Sequence, residues 1–240
     1  MNASRTLLIV GDSISLGVTE TIRQDVLSRL VVSYVQLLAA LAPDWRIVVN
    51  AELHRTTSST LPLLPGLLAQ HQPSAVFFLL GGNDADVSWR RFLATEGKQS
   101  RSNVPIEAFH DHVESLARQT LAGGSMPILA DIPDCDLVQR TAWLTRQLGQ
   151  DVGPMFTVAG GQAEANRRSR AYVAAVDSVA AALGVPVVRW GQRLNEMKSA
   201  ERLSVDGYHP GAAAHPLIAQ EVADVLAATF QPAAVRPAVV

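Results

Sequence analysis

The chain has 240 residues, a formal net charge of −2, and 48% hydrophobic against 18% charged residues. This balance excludes a disordered chain, and no long run of Lys and Arg offers a footprint for nucleic-acid phosphates. A single cysteine, Cys135, excludes an internal disulfide framework and a thiolate zinc site.

Short apolar runs alternate with longer segments of helical periodicity, which predicts alternating strands and helices. In chain order, the predicted elements are a strand at 7–10, a helix at 19–41, a strand at 46–49, a helix at 59–70, a strand at 75–80, a helix at 105–121, a strand at 127–130, a helix at 162–183, a strand at 185–188 and a helix at 210–228.

This alternation predicts a single α/β domain over residues 1–240, a three-layer α/β/α, doubly wound five-stranded parallel sheet of the flavodoxin-like type. Two segments, 85–104 and 133–161, do not fit the minimal pattern. Long segments at an active-site rim are often lids or substrate-binding loops. For the second segment, extra helical packing is an equally good interpretation.

Polar residues follow the first four predicted strands and precede the last helix, at the edge where parallel sheets bind ligands. Ser13 follows the first strand in Gly-Asp-Ser, at an expected strand-to-helix turn whose N–H groups suit an oxyanion. Asn83 follows the third strand as a neutral donor. His209 suits a general base for the serine, and Asp206 suits an acceptor for its other ring nitrogen.

Each motif alone also fits a structural role. Asp12 and Ser13 suit helix caps, the Gly-Gly-Asn stretch around Asn83 suits a turn, and Asp206 with His209 suits a capped turn before the last helix. The combination of all three motifs in this order is far more specific than any one of them.

The three motifs together resemble those of the GDSL-type esterases, the SGNH hydrolase family, over residues 7–228. Gly11-Asp12-Ser13 resembles the first family block, with Ile14 where leucine is usual. Gly81-Gly82-Asn83-Asp84 resembles the third block, and Asp206-Gly207-Tyr208-His209-Pro210 the last. The resemblance implies Ser13 as nucleophile, His209 as base and Asp206 as its orienting partner, on a five-stranded parallel sheet.

The second family block departs from the usual pattern. The family has Asn-x-Gly-x-x-Gly after the second strand, whereas this chain has Asn50 followed by Glu52 and Arg55 in the glycine positions. Glycine often serves a positive φ in such a loop. The resemblance implies an oxyanion hole of the Ser13 N–H, the Arg55 N–H and the Asn83 side chain, since any residue but proline has an N–H.

Two interpretations of the Arg55 side chain stay open. It either points to solvent or pairs with Glu52, or it binds a carboxylate or phosphate of the substrate. Asp12, His54 and Asp84 flank the motif residues and are further candidates for substrate binding.

The sequence therefore predicts a serine hydrolase of carboxylic esters that works through an acyl-enzyme, without a metal or an organic cofactor. An acyltransferase with the same acyl-enzyme is the alternative, and a catalytically silent binding module on this fold is a third. The expected partner is a small-molecule ester or acyl substrate, with no nucleic acid and no membrane span. Lacking a recognisable signal peptide, the chain is expected to be cytoplasmic. The motifs specify neither the acyl chain nor the oligomeric state.

Overall fold

A five-stranded parallel sheet forms the centre of the protein. The computed structural model describes residues 5–20, 27–30, 32–197 and 202–230. The strands of the central sheet are β1 (Arg5–Gly11), β4 (Trp45–Ala51), β5 (Ala75–Leu79), β6 (Met126–Ala130) and β7 (Val187–Val188), in the spatial order β4-β1-β5-β6-β7. This order reverses direction at β1, and the predicted doubly wound sheet is confirmed.

Helices cover both faces of this sheet. They are α1 (Tyr34–Leu41), α2 (Thr57–Thr60), α3 (Leu64–His71), α4 (Gly82–Ala85), α5 (Trp89–Ala94), α6 (Ile106–Ala122), α7 (Leu137–Leu148), α8 (Gly153–Val158), α9 (Gly161–Leu183), α10 (Trp190–Glu196) and α11 (His215–Phe230), with a 3₁₀ turn at Ala212–Ala214. Within the described part of the chain, none of these helices combines the length and apolar character needed to cross a bilayer.

Alternate residues of the buried strands face opposite helix layers. On β1, Leu7 and Ile9 pack into the core shared with α1, α10 and α11, whereas Leu8 and Val10 pack into the core shared with α3, α6 and α9. Successive side chains of a strand point to opposite faces, so a strand covered on both sides needs a continuous apolar run. This is why the apolar runs located the strands correctly.

The predicted helix at 19–41 is wrong over its first part. Residues Val18–Glu20 form β2 and pair antiparallel with β3 (Leu27–Arg29), while residues 21–26 and 31 of the prediction lie outside the described residues. The helix α1 begins only at Tyr34, where Ser33 and Gln36 form a capping box. Strand pairing between 18–20 and 27–29 overrides the apolar spacing, since local periodicity is a weaker constraint than tertiary contacts.

The two segments outside the minimal pattern pack against each other. Segment 85–104 contains α5, and segment 133–161 contains α7 and α8. Their apolar side chains form a third core cluster, separate from the two sheet cores, whose buried members are Val87, Phe92, Leu137, Leu144, Val152, Met155 and Phe156. The second segment therefore does contain additional packed helices.

The start of α10 approaches the chain beyond β6 so closely that only glycine fits at position 191. A Cβ atom there would lie 2.4 Å from the carbonyl carbon of Ile132 and 2.6 Å from the nitrogen of Pro133. The carboxylate of Asp131, at the end of β6, accepts the N–H groups of Gly191 at 2.6 Å and Gln192 at 3.0 Å. These contacts hold α10 on the carboxyl edge of the sheet.

We expect Gly191→Ala to lower the free energy of unfolding by about 1–3 kcal/mol, because the new methyl group overpacks a backbone contact. Gly66→Ala is the matched control, since a Cβ atom at this exposed position of α3 meets nothing within 4 Å. It should raise stability by up to about 1 kcal/mol through helix propensity. Urea unfolding of both variants tests this, and a Gly191→Ala protein as stable as the wild type would contradict it.

Candidate active site

Ser13 lies two residues beyond the carboxyl end of β1. Its Oγ is 2.9 Å from Nε2 of His209, which precedes α11. The serine is 7% exposed. The expected strand-to-helix turn is wrong here, because residues 13–17 form a turn that leads into β2, with the Val18 N–H bonded to the Ser13 carbonyl at 2.9 Å. No helix N-terminus therefore follows Ser13 directly.

The carboxylate of Asp206 organises the loop that carries His209. Its Oδ2 lies 2.6 Å from Nδ1 of His209. Its Oδ1 accepts the Ser204 hydroxyl at 2.6 Å and the backbone N–H groups of Tyr208 and His209 at 3.0 Å each. Burial opposes ionisation of Asp206, but these hydrogen bonds and the His209 charge hold its pKa well below the usual range.

A glycine joins this loop to α7. Gly207 has a φ of +66°, and a Cβ atom on it would lie 2.4 Å from the Asp136 carbonyl oxygen and 2.7 Å from the Arg140 nitrogen. The Asp136 N–H donates to the Gly207 carbonyl at 2.8 Å. The loop of Asp206 and His209 therefore rests against the start of α7, in segment 133–161.

Asn83 lies on α4, just after the carboxyl end of β5. Its Nδ2 donates to Oδ2 of Asp12 at 3.2 Å and to the carbonyl oxygen of Arg55 at 3.1 Å. Both amide hydrogens are therefore engaged in this state of the protein. The other oxygen of Asp12 accepts the Ile14 N–H at 2.9 Å. Burial raises the pKa of the Asp12 carboxyl to about 6.

The loop after β4 keeps its Arg55 side chain inside the protein. Arg55 is 5% exposed, and its Nη1 donates to the backbone carbonyl of Asn50 at 2.9 Å and to the side-chain oxygen of the same residue. Its Nη2 lies 3.3 Å from the Glu52 carboxylate. The guanidinium pairs with Glu52, which agrees with the first of the two open interpretations of this side chain.

The positive φ of this loop falls on neither of the two substituted glycine positions. It falls on His54, whose φ is 59° and whose side chain is exposed. The Arg55 N–H makes a long bond of 3.4 Å to the Glu52 carbonyl. The loop thus turns without glycine, and the Arg55 carbonyl stays within reach of Asn83.

Asp84, on α4 next to Asn83, bonds to a residue of α2. It is fully buried, and its Oδ1 accepts the Thr57 N–H at 2.9 Å and the Thr57 hydroxyl. Burial raises the pKa of Asp84. The Thr57 hydroxyl also contacts Nδ1 of His112 at 3.1 Å. This network connects α2, α4 and α6 behind Asn83.

Sequence reasoning missed Ser204 and Arg140. Ser204 supports Asp206 from two residues away, and a serine near the last motif was the only sequence signal for it. Arg140 is 7% exposed and lies across the Tyr208 ring, with its guanidinium carbon 4.3 Å from the ring centroid. No local pattern places a residue of α7 against that loop.

Among the described residues, no group of three or more His, Cys, Asp or Glu side chains is arranged to hold a metal ion. The site brings together a hydroxyl, an imidazole and a buried carboxylate in one hydrogen-bonded chain, beside an amide donor. A hydroxyl bonded to an oriented imidazole is suited to nucleophilic attack on a carbonyl carbon.

Comparisons with known proteins agree with the resemblance to a family of esterases. The family model described as GDSL-like Lipase/Acylhydrolase matches residues 9–217. Esterase TesA of Pseudomonas aeruginosa is 29% identical over 221 residues, which cover 92% of this chain and 87% of that protein.

Solved structures share the fold. The lipase/acylhydrolase from Enterococcus faecalis has a TM-score of 0.66 at 18% identity, covering 95% of this chain and 98% of that one. The psychrotrophic esterase EstA from Pseudoalteromonas sp. has a TM-score of 0.63 at 18% identity, covering 95% of this chain and 100% of that one. With the family model matching most of its length, the chain belongs to the GDSL-like lipase/acylhydrolase family and is a carboxylic ester hydrolase.

Proposed function

We propose that this protein hydrolyses a small-molecule carboxylic ester through an acyl-enzyme on Ser13, with His209 as the base and Asp206 as its orienting partner. The observation that carries the proposal is the hydrogen-bonded chain from the Ser13 hydroxyl through both ring nitrogens of His209 to the Asp206 carboxylate, at 2.9 and 2.6 Å. An ionised Asp206 accepts the Nδ1–H of His209. The tautomer this favours has an unprotonated Nε2, which faces Ser13.

The reaction has two acyl-transfer steps. In the first, the Ser13 hydroxyl proton moves to Nε2 of His209 while Oγ bonds to the ester carbonyl carbon. The C–O bond to the alcohol then breaks, and the leaving oxygen takes the proton from His209. In the second, His209 removes a proton from water while the water oxygen bonds to the acyl carbon. The bond from that carbon to Ser13 Oγ then breaks, Oγ takes the proton from His209, and the acid leaves. Transfer of the acyl group to another alcohol would use the same intermediate.

The oxyanion that forms in each step needs hydrogen-bond donors. We assign this role to the Ser13 N–H, the Arg55 N–H and the Asn83 side chain. Both amide hydrogens of Asn83 are engaged before substrate binds, one by Asp12 and one by the Arg55 carbonyl. One of these two bonds is therefore exchanged for a bond to the oxyanion.

We assign segments 85–104 and 133–161 as walls of the substrate site, within a single domain. Both lie at the carboxyl edge of the sheet, and the Gly207 contact joins the second segment to the loop of His209. They are built from packed helices, which suits a shaped wall better than a freely opening loop.

We expect Ser13→Ala to reduce kcat on nitrophenyl esters by at least about 1,000-fold, because the nucleophile is removed. Its free energy of unfolding should change by no more than about 1 kcal/mol. Ser58→Ala, at an exposed position of α2, is the matched control and should keep wild-type kcat. A fluorophosphonate should label the wild type and the control at Ser13. Substantial turnover by Ser13→Ala would overturn the mechanism.

Asp12 acts in this proposal as a positioning residue for Asn83. Its carboxylate is buried, and burial raises its pKa above the unfolded value of 3.8 to about 6. The folded protein therefore binds more protons than the unfolded one between these values, so the contribution of Asp12 to stability falls as pH rises through this window. The ionised form is unfavourable for folding, but it is a better acceptor for the Asn83 amide.

Asp12→Asn should therefore separate stability from activity. Between pH 4 and pH 7, the free energy of unfolding of the variant should rise relative to the wild type, because the variant has no carboxylate to ionise. At pH 7.5, its kcat should fall by roughly tenfold with little change in KM, since the oxyanion donor then bonds to a neutral amide oxygen instead of a charged carboxylate. Urea unfolding across pH and steady-state kinetics measure the two effects.

Asp44→Asn removes a carboxylate from an exposed position and is the control for net charge. It should leave kcat at the wild-type value. The same pH trend in both variants, or an unchanged kcat in Asp12→Asn, would contradict the role assigned to Asp12.

A further inference from the structure

A cavity lies between segments 85–104 and 133–161 and the carboxyl edge of the sheet. Its wall includes Asp12 and Ile14, the two neighbours of Ser13, and Tyr208, the neighbour of His209. The cavity therefore opens beside the proposed nucleophile and base, where one part of an ester bound at Ser13 would enter it.

Aromatic rings form part of the wall of this cavity. The five aromatic residues in its wall are Trp89, Phe92, Phe156, Trp190 and Tyr208. Three of them form a packed group, with centroid distances of 5.4 Å for Trp89 to Phe92, 5.9 Å for Trp89 to Phe156 and 5.1 Å for Phe92 to Phe156. Such a wall favours a planar ring, because aromatic pairs gain from edge-to-face and offset contacts beyond their buried area.

Two cations line this cavity, Arg140 and Arg168, and each lies near a carboxylate. Nη2 of Arg168 is 3.9 Å from Oε1 of Glu164. The Arg140 guanidinium lies between two rings, 4.8 Å from the Trp89 centroid and 4.3 Å from the Tyr208 centroid. Its Nη2 is 2.9 Å from Oδ2 of Asp86, which also accepts the Trp89 indole N–H at 3.0 Å. The pair of Arg140 and Asp86 holds both rings in place. The two ion pairs together leave neither cation of the wall without a facing carboxylate.

Two polar atoms in the aromatic wall lack a partner. The Tyr208 hydroxyl and the Trp190 indole nitrogen are buried, and neither has a hydrogen-bond partner among the described residues. A Cβ atom on Gly82, which also lines the cavity, would lie 3.2 Å from the Tyr208 oxygen. The Tyr208 hydroxyl therefore packs against a glycine that lines the cavity. Burial raises the pKa of Tyr208, so the hydroxyl stays a neutral donor.

A buried polar group without a partner is destabilising, so two of them on residues that line one cavity suit a ligand that supplies oxygen. An indole N–H only donates, and a phenolic hydroxyl donates or accepts. A ligand hydroxyl can bond to either atom, whereas an aliphatic ligand would leave both unpaired.

We propose that this cavity binds the acyl part of the ester as an aromatic ring with an oxygen substituent, of the hydroxyphenyl class, whose oxygen bonds to the Tyr208 hydroxyl or the Trp190 indole N–H. The inference rests on the proposed function, because it takes Ser13 as the point of acyl attachment. The aromatic wall recognises the ring, and the two unpartnered atoms distinguish a substituted ring from a plain one.

Three methyl esters with the same alcohol test this: 3-cyclohexylpropanoate, 3-phenylpropanoate and 3-(4-hydroxyphenyl)propanoate. The two-carbon spacer keeps the ring substituent from changing the reactivity of the carbonyl. For the wild type, kcat/KM should rise roughly threefold or more from cyclohexyl to phenyl. It should rise about tenfold further with the ring hydroxyl.

Tyr208→Phe should lower the hydroxyphenyl-to-phenyl ratio of kcat/KM by severalfold, because it removes one of the two atoms that bond to the ring oxygen. Tyr172→Phe is the matched control. Its hydroxyl, on α9, bonds to the Val104 carbonyl, and the residue does not line the cavity. The control should keep the wild-type ratio. An equal ratio in the wild type and Tyr208→Phe would overturn the role of Tyr208.

A measurement of ligand binding distinguishes a failure of this inference from a failure of the proposed function. The free acid 3-(4-hydroxyphenyl)propanoate should bind to the Ser13→Ala variant. It should bind severalfold more weakly to the double variant that carries both Ser13→Ala and Tyr208→Phe. Tryptophan fluorescence measures both affinities. If the wild type cleaves short aliphatic esters but neither prefers nor binds the aromatic acyl group, the cavity proposal is wrong and the proposed function stands. If a fluorophosphonate does not label Ser13, the proposed function fails, and the binding data alone decide on the cavity.

Discussion

The buried carboxylate of Asp206 is the contact on which the geometry of the candidate site depends. It accepts the Ser204 hydroxyl, two backbone N–H groups and Nδ1 of His209, so a single group both closes the loop and orients the imidazole. Four donors around one anion offset the desolvation that burial imposes. Without this anion, neither the direction of the His209 ring nor its contact with Ser13 would be determined.

The loop that Asp206 closes also connects the reaction centre to the cavity. Gly207 lies against the backbone of Asp136 and Arg140 with no room for a side chain, and the Tyr208 ring stacks on the Arg140 guanidinium. The start of α7 therefore supports the loop from one side while α7 itself forms part of the cavity wall. A shift in the helices of segment 133–161 would be transmitted to His209 through Gly207 and Tyr208.

The sequence specified the sheet and the family because both depend on local signals. Strands covered on two faces need continuous apolar runs, and parallel strands bring the residues after their carboxyl ends to one edge, so Ser13 and Asn83 were expected as neighbours. The β2–β3 hairpin, the partners of Asn83 and the contact of Arg140 with Tyr208 depend on pairing between distant segments. In the part of 19–41 that precedes α1, the apolar spacing fits a helix equally well, and no local rule distinguishes it from two paired strands.

The two bonds of the Asn83 amide differ in strength, and this difference bears on the proposed oxyanion hole. A bond to the Asp12 carboxylate is charge-assisted, whereas the bond to the Arg55 carbonyl joins two neutral groups and is the weaker of the two. The Arg55 N–H is itself held by a long bond of 3.4 Å to the Glu52 carbonyl. One small displacement of the loop at 52–55 would therefore free two of the three proposed donors together. The guanidinium of Arg55, anchored on Asn50 and Glu52, limits how far that loop can move.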